Sequence, residues 1–416
     1  MFATALESEV RSYCRNWPVV FDQGRGSRMV DRDGRGYLDF FAGASALNYG
    51  HNHPVLKRAL LAYLEQDGVT HSLDMLTVAK EGFLTEFAAR VLGPRGLDYR
   101  VQFPGPTGTN SVEAALKLAR KVTGRQTVVA FTGAFHGMTL GSLAVTGNAA
   151  KRAGAGVPLG QTWRLPYDGF SGDEVSGLRL LDSMLADRGS GMDLPAAVIV
   201  ETVQGEGGIN TASPAWVADL AELCGRRGIL LIVDDIQMGC GRTGPFFSFE
   251  VAGITPDIVC LSKSISGYGL PMALTLFRTE LDVWQPGEHN GTFRGNNPAF
   301  VTAAAALREF WADGALEKQT GERGALFEER LGDLADRYPA HLAAPRGRGL
   351  VWGLVFQQPQ LARRVADEAF ARGLLVETSG PWDEVVKLLP PLTATDDELE
   401  EGLGIVRDSV AAAVAT

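Results

Sequence analysis

Residues 228–235 read GILLIVDD and residues 257–263 read DIVCLSK, two short apolar runs that each end in titratable side chains. Neither run alternates polar with apolar residues, so neither describes a strand with one wet face. Unbroken Val, Ile and Leu of this length belong to a sheet covered on both sides. The same pattern recurs in YRVQF (99–103), TVVAFTG (127–133), AAVIVETV (196–203) and MALTLFR (272–278). Helical periods lie between these runs. In NSVEAALKLARKVTG (110–124), Val112, Ala115, Leu116 and Ala119 share one face, Asn110 with Glu113 predicts an N-cap, and Gly124 predicts the stop. Strand and helix in alternation predict βαβ units with right-handed crossovers, hence an α/β fold with a mostly parallel central sheet between helices.

From about residue 300 the pattern changes. Two helices (VTAAAALREFW, 301–311, and ERGALFEERLGDLADRY, 322–338) precede short strands near LVWGLVF, LLVET and VVKLL, and an acidic helix closes the chain. This predicts a smaller α+β domain, joined by the N-terminal stretch VVFDQGRGSRMVDRDGRGYLDF (19–40). The expected division is an N-terminal segment 1–60, a large domain 61–305 and a C-terminal small domain 306–416. The length agrees, since 416 residues exceed the roughly 250–300 at which one core stops growing.

With 39 basic and 49 acidic side chains the formal net charge is −10. That balance argues against binding nucleic acid or an anionic membrane, both of which need clustered positive charge. Apolar residues at 45% and charged residues at 21% exclude disordered and fibrous classes. Glu7, Glu9, Arg11 and Arg15 stand where a secretory signal needs an apolar stretch, and no apolar run approaches the ~18 residues of a spanning helix. Cys14, Cys224, Cys240 and Cys260 are scattered, with no C-x-x-C pair. A cytoplasmic protein with free thiols is the expectation. Glycine is in excess, 50 residues or about one in eight, and many of them fall at the strand-to-loop corners.

Parallel sheets place ligands beyond the carboxyl ends of their strands, so those corners carry the chemistry. Gly239-Cys-Gly-Arg-Thr-Gly244 matches G-x-G-x-x-G, but it stands away from the strand end and Pro245-Phe-Phe follows where a helix should open. Lys263 is different from most of the eight lysines: Lys57, Lys80, Lys117, Lys121, Lys151 and Lys318 sit in polar or helical-surface patterns, whereas Lys263 ends a buried-looking strand. Desolvation there lowers an amine's pKa and frees its lone pair, although a lysine snorkelling from a strand end would read the same. Asp234 and Asp235 tip the balance toward the first, although two acids there would also suit a solvated loop start. A strand-terminal acid about 30 residues before a strand-terminal lysine suits pyridoxal phosphate, whose pyridine nitrogen needs a carboxylate and whose aldehyde carbon needs an amine. Gln237, one turn on, can bond the ring's phenolic oxygen. A phosphate site belongs at a helix N-terminus, and Gly105-Pro-Thr-Gly108-Thr109-Asn110 lies between a strand and a helix. A third corner, Phe135-His136-Gly137, offers a ring to stack on a flat cofactor. His51-x-His53 has a metal-pair spacing, but Gly50 and Pro54 frame it as a turn with no acid or thiol beside it in sequence. Glu201 and Glu206 could be a glycosidase pair, with nothing else in support.

GHNHP (50–54), PTGTNSVEAALKLAR (106–120), FHGMT (135–139), ETVQGEGG (201–208), VDDIQMGCGRTG (233–244), LSKSIS (261–266), GTFRGNNP (291–298) and KLLPPL (387–392) together resemble the class III (ω-amino acid) aminotransferases of fold type I. The resemblance runs nearly end to end. DFFAGASALNYGHNHP, QFPGPTGTN and IVCLSKSISGYGLPMALTL look most like the diaminobutyrate–2-oxoglutarate transaminases, which serve ectoine synthesis and related routes. It implies that Lys263 bonds the cofactor and acts as the general base. Asp234 would pair with the pyridinium, Gln237 with the phenolic oxygen, and Phe135 would stack on the ring, with His136 and Glu201 beside it. Gly108 and Thr109 would take the phosphate, joined by Thr292 of the partner subunit, because the family builds its site across a homodimer or tetramer interface. Glu206 would be a gate carboxylate, pairing with a cation for the ω-amino substrate and releasing it for 2-oxoglutarate or glutamate. Dependence on a monovalent cation, K+, is suspected for the subfamily.

The sequence departs from a common family pattern at Lys387, where many members carry arginine. An ammonium is a point charge and not a two-pronged fork, so Lys387 would grip the α-carboxylate of glutamate more loosely, or another residue takes that task. Ornithine-handling relatives carry a tyrosine near Ala44, which disfavours ornithine. Asp74, in THSLDM, would meet the second amine of diaminobutyrate or be a surface acid. Two rivals stand beside this reading: another ω-amine transaminase or aminomutase of the same fold, and a non-catalytic pyridoxal-phosphate-binding regulatory protein.

Overall fold

The computed structural model describes residues 6–173 and 176–415; residues 1–5 and 416, the outer ends of the first and last expected units, lie outside it. Its centre is a seven-stranded sheet in the order Tyr99–Gln102, Leu274–Arg278, Ile258–Leu261, Leu230–Asp234, Ala197–Val200, Val128–Phe131, Thr162–Leu165. The last five run parallel. Leu274–Arg278 is antiparallel to both of its neighbours.

The unbroken apolar runs are explained by where alternate residues go. Val128, Ala130, Ala197, Ile199, Ile232 and Ile258 pack on one side of the sheet, in one core with Val112, Ala115, Leu116 and Ala119 of helix Gly108–Thr123. Val129, Phe131, Val198, Val200, Leu231, Val233, Val259 and Leu261 enter the larger core on the other side. Both faces are therefore dry, and each fully buried aliphatic side chain contributes about 1.5–3 kcal/mol.

Helix Gly108–Thr123 begins earlier than its apolar period indicates, and its cap is not Asn110. Thr107 is the extended N-cap, and Asn110 Oδ1 accepts from the Thr107 N–H at 3.2 Å and its hydroxyl at 2.8 Å. Glu113 does other work: its Oε1 accepts from the Gly141 and Ser142 N–H groups at 2.9 and 3.1 Å, fixing the start of helix Leu140–Val145. Gly124 does end the helix, with φ +68°.

Two four-stranded sheets flank the central one. Phe21–Arg25, Arg28–Asp31 and Gly36–Asp39 form one, completed by Leu374–Leu375 paired parallel to Leu38 and Asp39. Arg346–Arg348, Val351–Val355, Val385–Leu388 and Glu377–Ser379 form the other. The two late helices span Asn297–Phe310 and Ala315–Arg337, and the acidic one spans Asp396–Val414. Arg242, fully buried, ties the chain's two ends together. Its guanidinium donates to Ser45 Oγ and Asn48 Oδ1 at 2.8 and 2.7 Å and to the Leu350 and Pro390 carbonyls at 2.8 and 2.6 Å. Among the described residues no helix is long and apolar enough to cross a membrane, and the four cysteines are free.

Candidate active site

A cavity of about 200 Å³ opens at the carboxyl ends of the parallel strands. Gly108, Thr109, Phe135, His136, Glu201, Glu206, Asp234, Gln237 and Lys263 all line it, as do Gly137, Ile236 and Met238.

Strand Ile258–Leu261 delivers Lys263 to the wall at the first residue of a 3-10 turn, Lys263–Ser266. The lysine's φ is +54°, a left-handed conformation that a side chain bearing a Cβ adopts at a cost of about 1–3 kcal/mol and that recurs at functional positions. Burial pushes its amine down from the usual 10.5 to about 8, with Glu206 working the other way.

Asp234 closes strand Leu230–Asp234 and faces the same cavity. His136 Nδ1 lies 2.7 Å from its Oδ2, and the Ile236 N–H donates to its Oδ1 at 3.2 Å, so both oxygens are fixed. The neighbouring Asp235 points to the other side of the strand, as successive strand residues do. There it accepts from the Ser248 N–H at 3.0 Å, and burial raises its carboxyl to about 7.

At the start of helix Gly108–Thr123, Thr109 Oγ1 lies 2.6 Å from Thr139 Oγ1 and 2.9 Å from Ser142 Oγ. Glu201 is buried and accepts from the Phe135 N–H at 2.9 Å, holding that ring's backbone. Burial, then the charge of Asp234, raises the Glu201 carboxyl well above the usual range.

Behind Glu206 stands Lys387, fully buried, with Nζ 2.6 Å from Glu206 Oε1 and 2.8 Å from Glu377 Oε1. Burial works to raise the Glu206 carboxyl, but Lys387, then Lys263 and Lys151, outweigh it and hold it at about 2. Burial likewise opposes the Lys387 charge, and the two carboxylates overcome it, raising the ammonium's pKa. Glu377 is the residue that the sequence reasoning missed. It faces Lys387 across the strand pair Glu377–Ser379 and Val385–Leu388, and two opposite charges in adjacent apolar strands are the signal that could have found it.

Asp74 and Thr292 are not at this cavity. Asp74 is exposed, accepting from Asn290 Nδ2 at 3.2 Å, and the Thr292 carbonyl lies 2.9 Å from His71 Nε2. Lys151, a surface position by its pattern, instead sits with Nζ 4.6 Å from the centroid of the Phe135 ring. His51 does gain an acid through the fold, Asp39 Oδ2 at 2.8 Å, yet among the described residues no three His, Cys, Asp or Glu side chains converge to hold a metal. The Gly239–Gly244 segment forms buried turns with no helix opening after it.

A family model for class-III aminotransferases matches residues 11–410. The chain belongs to the class-III aminotransferases. It is similar to the diaminobutyrate–2-oxoglutarate transaminase of Streptomyces avermitilis, with 66% identity over 399 residues, 96% of this chain and 94% of that one. Against the enzyme of the same description from Halalkalibacterium halodurans the identity is 57% over 411 residues, 99% and 96% of the two chains. The ornithine aminotransferase of Toxoplasma gondii superposes with a TM-score of 0.86 at 28% identity, covering 100% of this chain and 94% of that one. The acetylornithine aminotransferase of Elizabethkingia anophelis shares the fold, with a TM-score of 0.80 at 24% identity over 99% and 97% of the two chains.

As a class-III aminotransferase the protein is a pyridoxal-phosphate enzyme acting on amino acids and keto acids. The residues present fit that cofactor. A softened amine and a doubly anchored carboxylate face one cavity, and the hydroxyl of Thr109 stands at the N-terminus of a sixteen-residue helix. The cradle has no room for more side chain: a Cβ on Gly137 would come within 2.5 Å of Thr109 Oγ1, and one on Gly108 within 3.0 Å of Ile236.

Proposed function

We propose that the protein transfers an amino group between L-glutamate and carbon 4 of L-aspartate 4-semialdehyde, giving L-2,4-diaminobutyrate and 2-oxoglutarate in two half-reactions. The observation that carries this reading is the convergence of the Lys263 amine and the Asp234 carboxylate on one cavity, in a chain 66% identical to a diaminobutyrate–2-oxoglutarate transaminase. Pyridoxal phosphate, when bound, supplies an electron sink for the charge left on a substrate carbon that loses its proton.

The residues divide the remaining work. Lys263 would hold the cofactor's aldehyde carbon and would carry the proton to and from the substrate carbon, a role suited to an amine lowered to about 8 by burial. Asp234, held by His136 and the Ile236 N–H, would pair with the pyridine nitrogen. Gln237 would bond the phenolic oxygen, Phe135 would stack on the ring, and Gly108 with Thr109 would take the phosphate. Glu206 covers Lys387 while the diamine is bound and swings off it when the α-carboxylate of glutamate or 2-oxoglutarate arrives.

The same reading places Thr292 of the partner subunit at the phosphate, in a homodimer or a tetramer. Val69, Leu73, Met75, Leu76, Val78 and Phe293 support it: they are exposed and apolar, and they surround the contacts His71–Thr292 and Asp74–Asn290. Asp74 then faces the second amine from that interface. Cytoplasmic location, a place in an ectoine-type route, a K+ requirement, and the division at residues 1–60, 61–305 and 306–416 belong to this proposal too. Lys263→Ala tests it: transamination is lost, and unchanged turnover by the variant would return the regulatory-protein reading. Turnover that persists without any keto acid would favour an aminomutase.

A further inference from the structure

Three hydroxyls meet at the N-terminus of helix Gly108–Thr123, where the cofactor's phosphate would be taken. Thr109 Oγ1 lies 2.6 Å from Thr139 Oγ1 and 2.9 Å from Ser142 Oγ, and of the three residues Thr109 is the one that lines the cavity. The protons of the other two are spent elsewhere. Ser142 donates to the Thr109 carbonyl at 3.3 Å. Thr139 donates to Glu113 Oε1 at 2.5 Å, because a carboxylate has no proton to give. The Thr109 hydroxyl is therefore the donor of the three that can turn to a phosphate monoester.

What holds that hydroxyl in place traces to Glu113. This residue stands one turn along the helix from Thr109, on the same face. Its Oε1 accepts from the Gly141 and Ser142 N–H groups, at 2.9 and 3.1 Å, as well as from Thr139. Both neighbours of the Thr109 hydroxyl are thus fastened to one carboxylate oxygen, Thr139 by its side chain and Ser142 by its backbone. Two glycines keep the space open: a Cβ on Gly141 would collide with Glu113 Oε2, and one on Gly137 with Thr109 Oγ1. A threonine in a helix divides between two χ1 rotamers unless its surroundings choose one. Here Thr139 and Ser142 make the choice, and Glu113 fixes both of them.

We propose that Glu113 is a positioning residue for the cofactor: its carboxylate pins Thr139 and Ser142, and these hold the Thr109 hydroxyl in the rotamer that donates to the phosphate. The inference rests on the phosphate seat assigned to Thr109 above, and not on which amino acid is the substrate. A hydrogen bond to a charged group is worth roughly a factor of ten or more in binding.

The test titrates apoenzyme with pyridoxal phosphate and with pyridoxal, which lacks the phosphate, and reads each Kd from cofactor absorbance. Wild type is compared with Thr109→Val, Glu113→Ala, the two combined, and Thr139→Val. Thr109→Val is expected to raise the Kd of pyridoxal phosphate about tenfold or more and to leave that of pyridoxal within about twofold. Glu113→Ala should reproduce most of that loss with the same selectivity, and should add less than about twofold where Thr109 is already valine. A merely structural Glu113 would weaken both ligands alike and add its loss in full to the double variant. Either result, or a Kd for pyridoxal phosphate unmoved by Glu113→Ala, would overturn the proposal. Should Glu113→Ala not fold, Thr139→Val decides, since Thr139 makes no side-chain cap bond and its loss cuts the link from Glu113 to Thr109. A rise for pyridoxal phosphate alone upholds the proposal, and an unchanged Kd rejects it. Thr109→Val without effect would remove the phosphate seat itself, and the role of Glu113 with it.

Discussion

Replacing Glu206 by glutamine removes the negative charge 2.6 Å from the Lys387 ammonium while keeping the side chain's size. The wild-type carboxyl is held at about 2 instead of 4.5, and each tenfold in proton affinity is worth about 1.4 kcal/mol, so its surroundings favour the charged form by about 3 kcal/mol. Lys387 is the first of the three cations responsible, and a charge-assisted hydrogen bond such as its bond to Glu206 is worth about 1.5–3 kcal/mol. An α-carboxylate that must displace Glu206 from Lys387 works against that amount, and in Glu206→Gln it does not. The efficiency of the glutamate or 2-oxoglutarate half-reaction should therefore rise about tenfold. The diaminobutyrate half-reaction should stay level or fall, because that substrate carries hydrogen where the α-carboxylate would sit and gains nothing from an uncovered lysine. Glu377, 2.8 Å from Nζ, keeps Lys387 from becoming a lone buried charge, so the variant folds. The assay is the single-turnover rate of each half-reaction, followed by cofactor absorbance. A ratio of the two efficiencies unchanged within about twofold, or a gain for diaminobutyrate instead, would refute the gate.

Three further expectations use other parts of the site. The Lys263 amine is lowered from 10.5 to about 8, so its neutral form predominates above that value; reconstitution of apoenzyme with pyridoxal phosphate should accelerate as pH rises through about 8 and then level, whereas a rise continuing to the ordinary lysine range would contradict the burial argument. Gly137 has φ +126° and no space for a Cβ beside Thr109 Oγ1, so Gly137→Ala should strain the backbone by about 1–3 kcal/mol and weaken cofactor binding, read as a higher Kd for pyridoxal phosphate. Arg242→Leu strips the donors from the buried Leu350 and Pro390 carbonyls and should cost about 3 kcal/mol or more, visible as a lower denaturation midpoint.

What the sequence revealed followed from sheet physics. A strand buried on both faces must be apolar throughout, so GILLIVDD and DIVCLSK announced themselves, and a charged residue at their ends could only be at a corner. The edge strand Thr162–Leu165 escaped notice because only Leu165 of its four residues is buried and no unbroken apolar run marks it: Trp163 is exposed, and Thr162 and Arg164 are half-buried. Helix Pro359–Ala371 was legible in principle, since Leu361, Ala362, Val365, Ala366 and Ala369 share its buried face. The Asn110 cap was misplaced because the apolar period starts a turn after the helix does. Contacts between distant segments were out of reach. That His136 meets Asp234 depends on which corner faces which. Lys151 lies in a short polar helix, AAKRA, that no pattern links to Phe135.

The central claim is that nitrogen moves from glutamate to carbon 4 of aspartate semialdehyde. It is tested most directly by incubating the holoenzyme with amino-labelled [15N]glutamate and L-aspartate 4-semialdehyde and locating the label by mass spectrometry. The account predicts label at the C4 nitrogen of 2,4-diaminobutyrate, with 2-oxoglutarate formed in equal amount. Label at the C2 nitrogen, or no labelled diamine while 2-oxoglutarate accumulates with another acceptor, would contradict it.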